Sequence, residues 1–233
     1  MRKRRRGCDV PDATVLRLPL YLEKLKLLQA IGVEDVSSRQ LAESLDIKAS
    51  QLRHDFHYFG GFSQPGRPYQ VDKLVEALEK IIGIAQPVPT AIVGAGHLGQ
   101  ALANYQNLEL QGFPVRGIFD VSPKLIGQDF RGILVRGMDE LEDVIRKEGI
   151  RIAILTVPAA SAQAVTDRMV SAGVVGIFNF APKDLKVPAG VAVRNERLVV
   201  GIMSLSFKVK CLLEQQAAAA EGADEADDSD EPG

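Results

Sequence analysis

The sequence predicts an α/β protein in two units, a helical one first and a parallel sheet after it. Three observations lead there. Amphipathic helical stripes fill the chain to about residue 86, the prolines of QPVPT mark a boundary near residue 88, and Val/Ile runs alternating with helical stretches follow. At 233 residues the chain exceeds an average domain. Its 46% hydrophobic and 25% charged residues suit a globular core, and no run approaches the roughly 18 apolar residues of a membrane span.

Taken in order, residues 1–14 read as a flexible basic arm. MRKRRRG is followed by CDVPDAT in place of an apolar stretch, so a secretory signal is excluded and a cytoplasmic protein is expected. Cys8 and Cys211 are the two cysteines, too few for a disulfide framework and too far apart for a CxxC pair, and read as free thiols. Residues 15–31 carry Leu18, Leu22, Leu25, Leu28 and Ile31 as the stripe of a helix that stops at Gly32. Ser37 with Gln40 has the form of a capping box, opening a second helix that buries Leu41, Ala42 and Leu45.

A third helix, ASQLRHDFHYFG, places Leu52, Phe56 and Phe59 on one face and ends at Gly60 and Gly61. Three helices with a tight turn between the last two make a helix-turn-helix, whose last helix enters the major groove of DNA. Ser50, Gln51, Arg53, His54 and His57 are the candidate contacts. The following GGFSQPGRPYQV suits a two-stranded wing with Arg67 near its tip, and Arg67 and the basic arm could both meet the phosphate backbone. A plain three-helix bundle is the alternative reading. A further helix over 72–84 closes this unit, assigned to 15–86.

In the second unit, residues 87–200, the runs TAIV, VRGIF (115–119), RIAILTV (151–157) and VVGIF (174–178) alternate with helical stretches at 97–108, 138–148 and 160–172. Strands this apolar are buried on both faces, hence a parallel, Rossmann-like sheet. Gly94, Gly96 and Gly99 of AIVGAGHLGQAL follow its first strand and open its first helix. In that context GxGxxG gives a tight turn at Gly94, an approach for a pyrophosphate at Gly96 and close helix packing at Gly99. Ala95, His97 and Leu98 complete the turn, with His97 either a phosphate donor or a solvent-facing residue.

Asp120 ends the second strand, where a carboxylate can accept both ribose hydroxyls and would repel a 2′-phosphate. That favours NAD(H) over NADP(H), with coenzyme A the chief competitor, since it also offers an adenosine pyrophosphate. Thr156, Val157 and Pro158, then Asn179 and Phe180, lie just past strand ends, where such a sheet puts its ligand crevice. They are mostly apolar or backbone contacts. No proton donor or substrate anchor stands among them, and the three histidines form no convincing metal site. A DNA-binding unit joined to a nucleotide-binding unit without catalytic groups suggests a sensor and not an enzyme; an NAD-dependent oxidoreductase with an accessory domain is the competing reading.

A last helix carries Ile202, Leu205, Val209 and Leu212 at helical spacing, so its apolar face needs a partner. Residues 217–233 follow as a disordered acidic tail. EGADEADDSDEPG holds seven acids and no base, and removing seven acids from a chain of net charge −2 leaves +5 on the rest.

Together these motifs resemble the Rex redox-sensing transcriptional repressors. The likeness runs from about Val15 to Leu213 and is carried by SSRQLAESLDIKASQLRHDFHYFGGF, IVGAGHLGQALANY, GIFDVSPKLIG, ILTVPAASAQAV and GIFNFAPKDLKVP. It implies a homodimer of winged-helix and Rossmann domains with a C-terminal helix, at 201–216, swapped between subunits. It also implies a double-stranded DNA operator, held when NAD⁺ is abundant and released by NADH. Arg17 and Tyr105 look like two members of the family's polar switch near the nicotinamide; the third, usually an aspartate, is replaced by Arg197, which cannot accept the same hydrogen bonds. His97 stands where relatives often carry arginine.

Overall fold

Pro11 at a helix start fixes the backbone for the turn that follows, and Asp12 favours the positive end of the helix dipole. Helix α1 accordingly spans Asp12–Ala30, beginning inside the segment expected to be a flexible arm. Residues 10–60, 62 and 67–227 are described in this computed structural model; residues 1–9 of the arm, with Cys8, lie outside them. Leu18, Tyr21, Leu22 and Leu25 are buried along α1, whereas Ile31 falls past its end and is 75% exposed.

Strand β1 (Asp35–Val36) precedes α2 (Ser38–Glu43) and α3 (Ala49–His57). The capping box is present in both directions: Gln40 N–H donates to Ser37 Oγ at 3.1 Å and Ser37 N–H to Gln40 Oε1 at 2.9 Å. Strand β2 (Tyr69–Gln70) pairs antiparallel with β1, Val36 opposite Tyr69. The partner of β2 is therefore a strand ahead of α2, where the sequence suggested a hairpin closed within residues 60–71. Residues 61 and 63–66, the expected wing tip, lie outside the described residues. Helix α4 (Val71–Ile82) ends at Gly83 with φ +87°, a left-handed cap. It buries Leu74 and Leu78 beside Leu41, Leu52 and Phe56 in the core of this unit.

The sheet is built from β3 (Thr90–Val93), β4 (Val115–Asp120), β5 (Asp129–Phe130), β6 (Ile133–Gly137), β7 (Ile152–Leu155), β8 (Gly176–Asn179) and β9 (Ala192–Asn195). Its order, β5-β6-β4-β3-β7-β8-β9, is parallel throughout except at β5. With the edge hairpin strand β5 set aside, that is the doubly wound Rossmann order. Its helices are α5 (His97–Ala103), α7 (Leu141–Lys147) and α8 (Ala159–Ala172); the short α6 (Asn107–Leu110), next in the chain after α5, belongs to the first unit.

Several elements differ from the sequence reading. The stretch 97–108 breaks between Ala103 and Asn107, and Met138–Glu140 form a 3-10 turn before α7. β6 and β9 interrupt their apolar residues with arginines and β9 is a largely exposed edge strand, so neither has the continuous apolar run of a central strand. Helix α9 runs over Leu198–Asp227, beginning before 201 and continuing past 216 through the alanines into the segment expected to be disordered. Alanine's high helix propensity extends it. Ile202, Leu205, Phe207, Leu212 and Leu213 on α9 are 56–68% exposed on the single chain.

The chain divides into two compact units. One reaches Val88 and takes in Gln106–Pro114; the other holds Pro89–Tyr105 and the residues from Val115 onward. Val88 N–H donates to Gly112 O at 2.8 Å, joining the short α6 segment to the first unit. Among the described residues no helix is long and apolar enough to cross a membrane.

Removing the Ser37 hydroxyl leaves the first-turn donors of α2 without their cap. Ser37→Ala is expected to lower the free energy of urea unfolding by about 1 kcal/mol; an unchanged midpoint contradicts the capping assignment.

Candidate functional site

Each glycine of the turn after β3 has a separate physical reason. Gly94 takes φ +104°, donates its N–H to Phe119 O at 2.8 Å, and has no room for a Cβ, which would lie 2.8 Å from the Thr156 backbone. Gly99 is buried in α5, and a Cβ there would fall 1.9 Å from Gly94 O. Gly96 is different. Its φ of −66° suits any residue and nothing lies within 4 Å of a Cβ, so it borders open space. Gly96, His97 and Leu98 form the exposed lip of the turn, and Ala95 is fully buried beneath it.

Side chains around the turn hold its backbone. Thr156 Oγ1 lies 2.7 Å from Gly94 O and 3.1 Å from Val93 O, so its hydroxyl donates into the end of β3 from the end of β7. Gln100 Nε2 donates to Ala95 O at 2.8 Å, a support that no sequence motif marks. Asp120 accepts Ala95 N–H at 2.6 Å on one carboxylate oxygen and Ser122 N–H at 2.7 Å on the other. Each oxygen keeps a further lone-pair direction, so the carboxylate can brace the turn and still accept two hydroxyls. Ala95 has spent its N–H on Asp120 and cannot offer it to a phosphate.

Of the other predicted contacts, Thr156 and Val157 are half-buried and Pro158 exposed at the end of β7, and Phe180 is half-buried against Phe178 with ring centroids 4.7 Å apart. Asn179 is 1% exposed, and its amide is committed to the fold. It donates to Lys183 O at 2.9 Å and Asn195 Oδ1 at 2.8 Å and accepts Ala181 N–H at 3.0 Å, with both donors used. Tyr105, just past α5, is 54% exposed. Arg197 is ion-paired with Asp184 in the same unit. Among the described residues no group of three His, Cys, Asp or Glu gathers as a metal site.

In the first unit, Ser50, Arg53, His54 and His57 are exposed on α3, and Arg67 is exposed just before β2. Arg53 Nη1 donates to Ser38 Oγ at 3.2 Å, and the His54 ring meets Tyr58 edge-on with centroids 5.3 Å apart. Gln51 differs from its expected free orientation, because its Nε2 donates to Asp55 Oδ1 at 3.0 Å. Asp55, which belongs to no motif singled out in the sequence, is fully buried. It also accepts Arg17 Nε at 2.6 Å, Arg17 Nη2 at 2.8 Å, Tyr21 Oη at 2.6 Å and Thr14 Oγ1 at 3.0 Å.

Burial by itself would push the Asp55 carboxyl up, yet the donors Arg17, Tyr21, Gln51 and Thr14 together outweigh it and bring it to about 2 from an ordinary 3.8. The same contact holds Arg17 above its ordinary range, and burial, with Asp55 as acceptor, raises Tyr21. The available sequence signal was Thr14, Arg17 and Tyr21, polar residues at i, i+3 and i+7 on a largely apolar helix.

The chain is similar to known proteins over nearly all of this architecture. Residues 9–56 match the family described as "Putative DNA-binding protein N-terminus", and residues 85–183 match the one described as "CoA binding domain". A redox-sensing transcriptional repressor Rex of Roseiflexus sp. (strain RS-1) is 46% identical over 199 residues, 85% of this chain and 90% of the relative. Among solved structures, RSP in complex with β-NAD⁺ and operator DNA superposes with TM-score 0.82 at 40% identity, covering 91% of this chain and 97% of that one. RSP in complex with β-NADH gives TM-score 0.79 at 39% identity, covering 89% and 99%.

Gly96 and Gly99 differ in what an added Cβ would meet, so their alanine variants should differ in effect. Gly99→Ala is expected to lower Tm by about 5 °C or more, whereas Gly96→Ala keeps Tm and weakens NADH binding about tenfold or more in calorimetry; equal effects on Tm contradict the assignment. The Asp55 carboxylate stabilises fully above its ordinary 3.8, and that contribution is lost as pH falls toward 2. Urea unfolding of the wild type from pH 5 to pH 2 should therefore weaken more steeply than that of Asp55→Asn, and equal slopes contradict the network.

Proposed function

The chain belongs to the Rex family of redox-sensing transcriptional repressors, and from that premise we propose that it binds operator DNA as a homodimer and releases it when NADH fills the crevice at Gly94–Gly99. The observation that carries the reading is the glycine turn braced by Asp120, in one chain with a helix whose exposed face bears Arg53, His54 and His57. Asp120 takes the ribose hydroxyls, Gly96 with His97 and Leu98 borders the pyrophosphate, and Thr156, Val157, Pro158, Phe180 and Tyr105 lie toward the nicotinamide end. Asn179 serves by shaping the loop after β8. Ser50, Arg53, His54, His57 and Arg67 face the duplex, with Arg53 and Arg67 on phosphates.

Coenzyme A and NAD share an adenosine and a pyrophosphate, so a turn of this kind suits the common part of both. NAD(H) is favoured because RSP, similar over 89–91% of this chain, has been solved with both oxidation states. NADH and NAD⁺ differ in charge at the nicotinamide, neutral in one and cationic in the other, so a low-dielectric pocket prefers the reduced form. A tenfold preference corresponds to about 1.4 kcal/mol. Ligand shifts a two-state dimer only by such a difference. Two recognition helices must sit about 34 Å apart, or a multiple of it, to occupy successive grooves, so a change in subunit rotation releases the operator.

The exposed apolar side chains of α9 need a cover, and a second copy supplies one. Arg197 cannot accept as an aspartate does, so partner exchange in this chain uses other groups. The chain acts as a regulator and not as an enzyme, and acts in the cytoplasm, where DNA and the nicotinamide pool meet.

Two measurements on the full chain test the reading. Arg53→Ala and Arg67→Ala are each expected to weaken duplex binding and to make it less steeply dependent on salt, and undiminished binding by the double variant contradicts the proposed surface. Calorimetry with NADH, NAD⁺, NADPH and coenzyme A should rank NADH first, with Asp120→Ala weakening it; coenzyme A first would contradict the cofactor assignment.

A further inference from the structure

Helix α3 has only nine residues, and its apolar anchors Leu52 and Phe56 are both fully buried on one side. Their packing, with the Phe56 ring edge-on to Tyr21, Phe62 and Tyr69, sets which side of the helix is buried but tolerates small rotations. Hydrogen bonds have direction. Asp55 on α3 accepts five of them, four from Thr14, Arg17 and Tyr21 on α1 and one from Gln51 one turn earlier on its own helix. α1 carries those donors on both sides of its interior Pro19. It spans 19 residues, buries Leu18, Leu22 and Leu25, and is tied to α4 by Lys26 to Glu79 at 2.9 Å and Gln29 to Asp72 at 2.8 Å.

At about 100° per residue, Ser50, Arg53, His54 and His57 spread over one side of α3, and Asp55 lies about 150° round from the middle of that spread. The carboxylate therefore grips the helix from behind its exposed face. A rotation of about 20° carries a side-chain tip about 6 Å from the axis through about 2 Å, enough to break a base contact. A buried ion pair adds little net stability over an apolar replacement, and its better-attested use is to select one geometry.

We propose that Asp55 is the positioning residue of DNA reading: bonded to Arg17, Tyr21, Thr14 and Gln51, it sets the rotation of α3 and so decides which base edges the exposed side chains meet. This rests on the reading of α3 as the DNA-reading helix. Arg17 is the outer member of the set, with its side chain 25% exposed against 0% for Asp55, so a group that draws on Arg17 acts on α3 through the carboxylate.

The test uses the full chain and a duplex that the wild-type protein enriches from a randomised pool, measured beside the same duplex with its sequence shuffled. Selectivity is the ratio of the two affinities. Tyr21→Phe removes one donor and keeps the ring that meets Phe56 edge-on at 5.5 Å. Asp55→Asn removes the charge at nearly constant shape. Both are expected to keep NADH affinity, shuffled-duplex affinity and its salt slope, while selectivity falls about threefold in Tyr21→Phe and about tenfold or more in Asp55→Asn. A merely structural role would lower both affinities together, in proportion to the folded protein lost. Unchanged selectivity in a folded variant overturns the proposal, and Tyr21→Phe alone decides if Asp55→Asn fails to fold. Failure of the wild type to enrich any sequence would instead sink the reading of α3 as a DNA reader.

Discussion

Helix α5 meets the end of β3 at a distance that only bare backbone allows, and the glycine turn of the sheet unit depends on that approach. A Cβ at Gly99 would sit 1.9 Å from Gly94 O, and one at Gly94 would press into the Thr156 backbone. Because these two positions are filled by hydrogen, strand, turn and helix form one tight piece, with Thr156 and Asp120 bonded to its backbone from the two neighbouring strands. Gly96 alone is left facing open space. A rigid turn with one uncovered edge is what an anionic ligand needs, since little order has to be created when it binds.

The N-terminal unit solves a comparable problem with the opposite material. There the precision comes from a buried carboxylate and its donors, not from the close approach of backbones. Leu52 and Phe56 set the buried side of α3 by packing, and the hydrogen bonds of Asp55 add a finer restraint on its angle. The glycine turn and the candidate reading helix are thus fixed by separate devices, one per unit. What they share is that the functional surface stays exposed while the fixing contacts lie beneath it.

Much of this was legible in the residues, and the exceptions have physical causes. The capping box at Ser37, the central strands and the glycine turn each rest on local rules of propensity, spacing or backbone freedom, and each lies where those rules put it. β6 and β9 were hidden because edge and near-edge strands do not need an unbroken apolar run, and Arg136 and Arg194 broke theirs. β2 finding its partner in β1 is a long-range pairing that the turn chemistry of residues 60–68 could not reveal. Asn179 and Gln51 look available in the sequence because position along the chain shows where a side chain starts but not what it bonds. Asp55 is inconspicuous for the same reason: an acid in the middle of a basic, exposed-looking helix is recognisable as buried only when Arg17 and Tyr21 are seen beside it.

In the proposed function, the oxidation state of the nucleotide held at the glycine turn governs the grip of the dimer on DNA. The most direct measurement is a mobility-shift titration in which one preformed complex of the full chain and its selected duplex receives NADH in one series and NAD⁺ in the other. NADH is expected to dissociate the complex at concentrations where NAD⁺ leaves it intact. Retention of the duplex at equal strength with no nucleotide, with NADH and with NAD⁺ would contradict the proposed function.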